Sequence, residues 1–181
     1  MKVEQGQKAP DFNVQDIYGK TVRLSDFKGK KVLLSFFRDV SCPFCNLRVR
    51  DLSNRREQLE AEGLQMIFFF ESSAEVLTNS LLHQKASPIP LVGDPDKAIY
   101  AQYGVESSAL KMMKTFFQTG AISAMKDGAT IEVAQTKDKA SMTLIPADFL
   151  IDEKQMLHTA HYGGHIRDHI TVSELEKFVK S

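Results

Sequence analysis

The stretch Val32-Leu33-Leu34-Ser35-Phe36-Phe37-Arg38-Asp39-Val40-Ser41-Cys42-Pro43-Phe44-Cys45 decides the fold. Val32 to Phe37 is apolar on both faces of a pleat, so it belongs inside a sheet covered on each side, the usual setting of a parallel strand. The cysteines follow at its end. Cys45, Val49, Leu52 and Leu59 then mark one face of a helix that Gly63 can close. At such a junction the unpaired backbone donors and the positive end of the helix dipole face the first cysteine and favour its thiolate. Cys42 is therefore the expected nucleophile. Cys45, one turn in on the core-facing stripe, is the expected shielded, resolving thiol. Pro43 suits the first helical turn and, with Phe44, is expected to position substrate. Arg38 is read either as added positive potential or as an exposed charge, and Asp39 as a capping or solvated group.

Cys42 and Cys45 are the only two cysteines in 181 residues. A core this large needs no staple and a reducing compartment keeps ordinary thiols free, so the pair reads as redox-active before it reads as metal-binding or inert. Zinc needs about four ligands, and two cysteines supply half of them. His158, His161, His165 and His169 lie far downstream and are expected as scattered edge or surface imidazoles, with no metal and no cofactor.

Outward from the dithiol the chain alternates. Asp11 to Val14 and Thr21 to Leu24 flank a turn and predict an N-terminal hairpin. Leu64 to Phe70 is a second buried strand, and Ser72 with Glu75 predicts a capping box for a helix to about Gln84. Leu91-Val92 is a short strand, and Asp94-Pro95 starts a helix that Gly104 ends. Residues 106–142 break the rhythm and read as an insertion. In it Leu110, Met113 and Phe117 share a helical face, while Thr119-Gly120, Asp127-Gly128 and residues 136–139 look like loops. The cluster Met112, Met113, Phe116, Phe117 and Met125 is expected to be core of that insertion rather than a docking patch or homodimer contact. Ala147 to Ile151 and His158 to Tyr162 pair across a turn, and Thr171 with Glu174 caps a last helix. Arg48, Arg50, Arg55, Glu57 and Glu60 are placed on the wet side of the dithiol helix.

Lys plus Arg and Asp plus Glu balance at 23 each, which removes the field that would gather nucleic acid or an anionic bilayer. The longest apolar runs fall far short of the ~20 residues that span a membrane. Met1 to Lys8 lacks the apolar core of a secretory signal, so a cytoplasmic address is expected, with neither nucleic acid nor membrane as a partner.

Several landmarks in order resemble one family: Gly6-Gln7-Lys8-Ala9-Pro10-Asp11-Phe12, Leu24-Ser25-Asp26-Phe27-Lys28-Gly29-Lys30, the strand into Cys42, Gly93-Asp94-Pro95, Tyr103-Gly104-Val105 and Pro146-Ala147-Asp148-Phe149-Leu150-Ile151-Asp152. The sequence looks like a thioredoxin-fold protein of the peroxiredoxin-like AhpC/TSA family. The resemblance implies an α/β fold over residues 1–181, a central mixed sheet flanked by helices, an N-terminal β-hairpin, and an insertion before the strand that opens with Pro146. That proline resembles the cis-proline that faces the dithiol and presents backbone to a bound disulfide. Two departures separate the possible chemistries. With Cys45 in the peroxidatic place, Arg38 stands where the family has proline and Cys42 where it has threonine or serine. Pro146 stands where an activating arginine is frequent. Both departures lean toward disulfide exchange over peroxide reduction. The leading expectation is a thiol-disulfide oxidoreductase acting on a protein or small-molecule disulfide and served by a thiol reductant such as a thioredoxin or glutathione system. The alternatives are an atypical peroxiredoxin reducing hydrogen peroxide or organic hydroperoxides, and a non-enzymatic metal-binding or redox-sensing module.

Overall fold

The computed structural model describes residues 1–80, 86, 88–117, 120–130 and 141–181. A hairpin of β1 (Asn13–Gln15) and β2 (Thr21–Arg23) opens the chain. A five-stranded sheet follows, formed by β3 (Lys31–Phe36), β4 (Leu64–Phe70), β5 (Leu91–Gly93), β6 (Ala147–Ile151) and β7 (Leu157–Tyr162) in the order β5-β4-β3-β6-β7. The β3/β4 and β4/β5 pairs are parallel, β3/β6 and β6/β7 antiparallel.

The pleat sorts the apolar residues into two cores. Leu33, Phe37, Met66, Phe68, Phe70, Leu91 and Leu150 share one face with Cys42, Cys45, Val49, Leu52, Leu175 and Phe178. Val32, Leu34, Phe36, Ile67, Phe69, Val92, Phe149 and Ile151 face the other way, onto the hairpin and the tyrosines 100 and 103. The double coverage expected for Val32 to Phe37 is thus present, with β3 in the middle of the sheet between β4 and β6.

The helices are α1 (Pro43–Asn54), α2 (Arg56–Ala61), α3 (Ala74–Thr78), α4 (Ala98–Gln102), α5 (Ala109–Phe116), α6 (Ala121–Ala129) and α7 (Val172–Lys180). Several differ from expectation. The single helix expected from Cys45 to Gly63 is broken at Arg55 (φ −99°, ψ 1°), whose N–H bonds to Leu52 and Ser53 carbonyls in a tightened last turn. The cap of α3 is Ser73, because the Ser72 hydroxyl is spent inside the core, accepting the Val40 N–H at 3.1 Å. The expected continuation to Gln84 and the loop at 136–139 lie outside the described residues, as does Thr119. Asp94 does cap the next helix, but from four residues ahead, its carboxylate accepting the Ala98 and Ile99 N–H groups at 3.0 and 2.8 Å. The Thr171/Glu174 capping box of α7 is present in full.

One carboxylate sits in the middle of the sheet. Asp148 on β6 is 0% exposed and faces Ser35 across the β3/β6 ladder. It accepts the Ser35 hydroxyl at 2.8 Å, the Ile170 N–H at 2.8 Å and His169 Nδ1 at 3.0 Å. Burial pushes its carboxyl up, but the charge and hydrogen bond of His169, the charge of Arg48 and the Ser35 hydroxyl outweigh that and hold it well below the usual carboxylate range. A carboxyl depressed on folding gives stability that is complete above its unfolded value of ~3.9 and is lost as pH falls through the folded value. Urea unfolding should therefore show stability declining below about pH 4. Asp148→Asn should lower stability at pH 7 by about 3–5 kcal/mol and remove part of that acid slope. Equal stability of the two proteins at pH 7 would rule out this account of the sheet's polar centre.

Candidate active site

The loop from β3 to α1 is clamped before it reaches the sulfurs. Phe37 donates its N–H to Phe69 and its carbonyl accepts the Tyr100 hydroxyl at 2.6 Å. Asn46, buried in the first turns of α1, reaches back with its Nδ2 to the Val40 carbonyl at 2.9 Å. Cys42 is then the N-cap of α1, with Pro43 at the first helical position. Its sulfur accepts the Cys45 N–H at 3.4 Å and the Cys45 S–H at 2.8 Å.

These contacts divide the two thiols electrostatically. Burial raises the Cys42 thiol, but the Cys45 S–H, the Arg38 charge and the Cys45 N–H overcome both burial and the opposing Asp39 charge, and its pKa falls below the ordinary value. Burial, the hydrogen bond given to Cys42 and the charge on Cys42 push Cys45 well above the ordinary value, against the opposing Arg38 charge and N–H. The two thiols are therefore driven apart in acidity, and Cys42, at the helix start, is the more readily ionised of the pair.

Burial is where expectation fails. Cys42 is 2% exposed and Cys45 1%, so neither sulfur is the open, outer one. The cover comes from the stretch read as an insertion. Residues 106–108 pair with 143–145 through the Ser107/Leu144 bridge and the Ser108 and Ile145 N–H bonds, closing its base just ahead of Pro146. Helix α6 from that stretch packs on α1. Asp127-Gly128, expected as a loop, is part of α6, and the glycine is needed for contact: a Cβ at 128 would collide with the Pro43 carbonyl and lie 2.7 Å from the Pro43 Cβ.

The other site residues fall as follows. Arg38 is largely buried, 3.3 Å from Asp39, and its Nε has no hydrogen-bond partner among the described residues, so the exposed-charge alternative is set aside. Asp39 is buried rather than solvated and accepts the Ser41 N–H at 2.8 Å and the Ser41 hydroxyl. Phe44 is half-buried against the α1 core. Pro146 precedes Ala147, the partner of Phe36, and so lies at the end of the sheet from which the dithiol loop leaves; its carbonyl accepts the Gly163 N–H at 3.0 Å. Among the described residues, no three His, Cys, Asp or Glu side chains are grouped to hold a metal ion. The histidines are dispersed, but not all at the surface. His161 pairs with Asp168 at 3.1 Å, and the His169 side chain is only 6% exposed. Arg48, expected in water, is 11% exposed and donates to the Ile170 carbonyl at 2.6 Å. Sequence reasoning missed the Asp148–His169 pair. Its signal was a carboxylate inside the apolar run Ala147 to Ile151.

The apolar cluster of the insertion is also corrected. Leu110, Met113, Phe117, Ile122 and Met125 are exposed, and of the residues assigned to its core only Met112 packs against the main core. The Phe116 side chain lies outside the described residues. The face is left open because α6 spends its small residues, Ala121 and Gly128, inward.

A mixed sheet with a strand, dithiol, helix junction and a hairpin in front defines the thioredoxin-like fold. Within it the chain belongs to the AhpC/TSA family, whose model matches residues 5–160. A bcp peroxiredoxin of Haemophilus influenzae is 30% identical over 111 residues, 61% of this chain and 71% of that protein. The thiol-disulfide oxidoreductase ResA of Bacillus subtilis is 25% identical over 103 residues, 57% of each chain. The solved thiol peroxidase from Chromobacterium violaceum shares the fold at a TM-score of 0.65 and 17% identity, covering 99% of this chain and 88% of that one. Both named relatives are oxidoreductases. Among the described residues, no helix is long and apolar enough to cross a membrane.

Two measurements test this site. Alkylation rates followed against pH by mass spectrometry should show Cys42 titrating below the ordinary cysteine range. Arg38→Gln should move that midpoint upward; an unmoved midpoint would remove the guanidinium from the argument. Gly128→Ala normally stabilises a helix by about 1 kcal/mol, but here the added methyl should destabilise by about 1–3 kcal/mol and speed Cys42 modification by thiol reagents. A more stable variant with unchanged reactivity would mean that α6 does not cover the dithiol.

Proposed function

We propose that this protein is a thiol-disulfide oxidoreductase in which Cys42 attacks and Cys45 resolves. The observation that carries the proposal is the unequal pair: Cys42 caps the start of α1 with its thiol pulled below the ordinary value, 2.8 Å from Cys45, whose thiol is pushed well above it. In the first step the Cys42 thiolate attacks one sulfur of a substrate disulfide, forming a mixed disulfide and expelling the other sulfur as thiolate. With Cys42 no longer anionic, the charge that held Cys45 protonated is gone. Cys45 then loses its proton and attacks the Cys42 sulfur, releasing the second substrate thiolate. Two electrons pass to the substrate and the protein is left with a Cys42–Cys45 disulfide, which an external thiol reductant of thioredoxin or glutathione type restores.

Arg38 stabilises the thiolate in this scheme, and Pro43, Phe44 and Pro146 border the substrate. Residues 106–142 act as an insertion in a single thioredoxin-like domain, and α6 must shift on α1 before a disulfide can reach Cys42. A cytoplasmic, reducing location suits a pair that must be returned to the dithiol form.

Insulin or model-disulfide reduction should fall at least about a hundredfold in Cys42→Ser, the scale of losing a nucleophile. Cys45→Ser should instead accumulate a mixed disulfide visible by mass spectrometry. Retained turnover in Cys42→Ser would reject the assignment. The peroxiredoxin relative supports a second reading, with peroxide as the oxidant of the same pair and Cys45 in the peroxidatic place. The buried Arg38 Nε offers one donor to an oxygen leaving group, while the hydroxyl that activates peroxide is replaced by Cys42 itself. Stopped-flow mixing with micromolar peroxide separates the two: this reading requires fast loss of one thiol, trapped as sulfenic acid when its partner is serine.

A further inference from the structure

A cavity flanks the dithiol helix. It holds about 340 Å³ between the first turns of α1 and the segment 167–171, and is bordered by Phe44, Leu47, Arg48, Asp51, Arg167 and His169. That size lies within the range of small-molecule sites. Two of its bordering side chains are buried with a nitrogen unsatisfied. His169 commits Nδ1 to Asp148, and its Nε2 has no hydrogen-bond partner among the described residues. Arg48 bonds the Ile170 carbonyl through one terminal nitrogen and stands 3.9 Å from Asp51 through the other, and its Nε is likewise unpartnered. A buried hydrogen bond left unmade is costly, so two on one cavity point to something that completes them.

The charge balance indicates what that is. Arg48 and Arg167 outnumber Asp51 in the cavity wall, and Asp51 is shared with Arg55 at 3.1 Å. The Asp148 charge is turned away, taken up by Ser35, Ile170 and His169. The fork of Arg48, with its Nε unpartnered, matches a carboxylate, and His169 Nε2, which carries a lone pair when Nδ1–H is given to Asp148, matches a ligand N–H such as an amine or amide. The other wall is apolar: Phe44 and Leu47, with the Arg167 guanidinium 6.0 Å from the Phe44 ring centroid. Phe44 stands between the two cysteines in the chain. A ligand anchored by its carboxylate in this recess would extend along Phe44 toward the dithiol.

We infer that this cavity binds small carboxylate-bearing thiols and their disulfides, of the class of glutathione, with Arg48 and Arg167 holding the carboxylate, His169 Nε2 accepting from a ligand N–H, and Phe44 packing on the aliphatic stem. The inference rests on the disulfide-exchange reading and names a substrate class for it. The chemistry is that already given: one bound disulfide takes two electrons from Cys42 and Cys45 and leaves as two thiols.

The test uses a probe that cannot exchange. S-Methylglutathione is titrated into the isotope-labelled full chain and followed by NMR, beside its diethyl ester, in which the carboxylates are neutralised. Saturable shifts are expected at Phe44, Leu47 and His169 to Thr171. Binding should weaken about tenfold or more for the ester and for Arg167→Gln, and similarly for Arg48→Gln, as loss of a charge-assisted hydrogen bond requires. Absence of saturable shifts at ten-millimolar probe, as when water alone completes the two nitrogens, would overturn the inference. Equal affinity for acid and ester, or affinity unchanged in both variants, would overturn it as well. Because the probe does not react, these outcomes leave the insulin assay untouched, and a protein that binds the probe yet fails that assay would retain the cavity's assignment and lose the catalytic one.

Discussion

A buried sulfur drawn toward its anion is the constraint on which this structure depends. Removing a charge from solvent is costly unless fixed donors replace the solvent, and Cys42 is 98% removed. Its replacements are the Cys45 S–H, the Cys45 N–H at the start of α1 and the Arg38 guanidinium. Each demands a particular backbone: the cap geometry at residue 42, Pro43 in the first turn, and a loop held by Tyr100, Asn46 and Ser72. The central strand, with cores on both faces, keeps that loop still.

The cover over the dithiol follows from the same constraint. A helix that approaches closely enough for residue 128 to touch the Pro43 backbone excludes water from the sulfurs and strengthens every interaction that divides them. The same cover opposes turnover, because a disulfide must displace it. The open apolar side of this stretch accompanies the cover: α6 turns Ala121 and Gly128 inward, and Leu110, Met113, Phe117, Ile122 and Met125 stand in solvent. On the opposite side of α1, the Asp148–His169 pair and Arg48 join the sheet, the dithiol helix and the segment before α7 into one polar frame, so that the floor of the site and its neighbouring recess share residues.

Much of this was legible in the chain. An apolar run on both faces of the pleat identified β3, the 3.6-residue recurrence identified α1, and the position of Cys42 between them agrees with the downward shift of its thiol. What failed did so for tertiary reasons. Asp127-Gly128 has turn composition, yet close packing on Pro43 makes glycine the residue a helix needs there. Ser72 and Ser73 are equally good caps locally, and only the position of Val40 assigns one of them to the core. Arg48 and His169 read as surface residues because their partners lie 122 and 21 residues away, at Ile170 and Asp148.

The sequence by itself determined the succession of strands, the double coverage of the sheet and the place of the dithiol at the head of a helix, because these depend on local periodicity and on two cysteines at the spacing of one helical turn. Only the tertiary structure decided that both sulfurs are covered, what covers them, and that a buried histidine and arginine line a recess beside Phe44. Those facts depend on which distant surfaces meet, and contact between residues far apart in the chain leaves no period in the sequence.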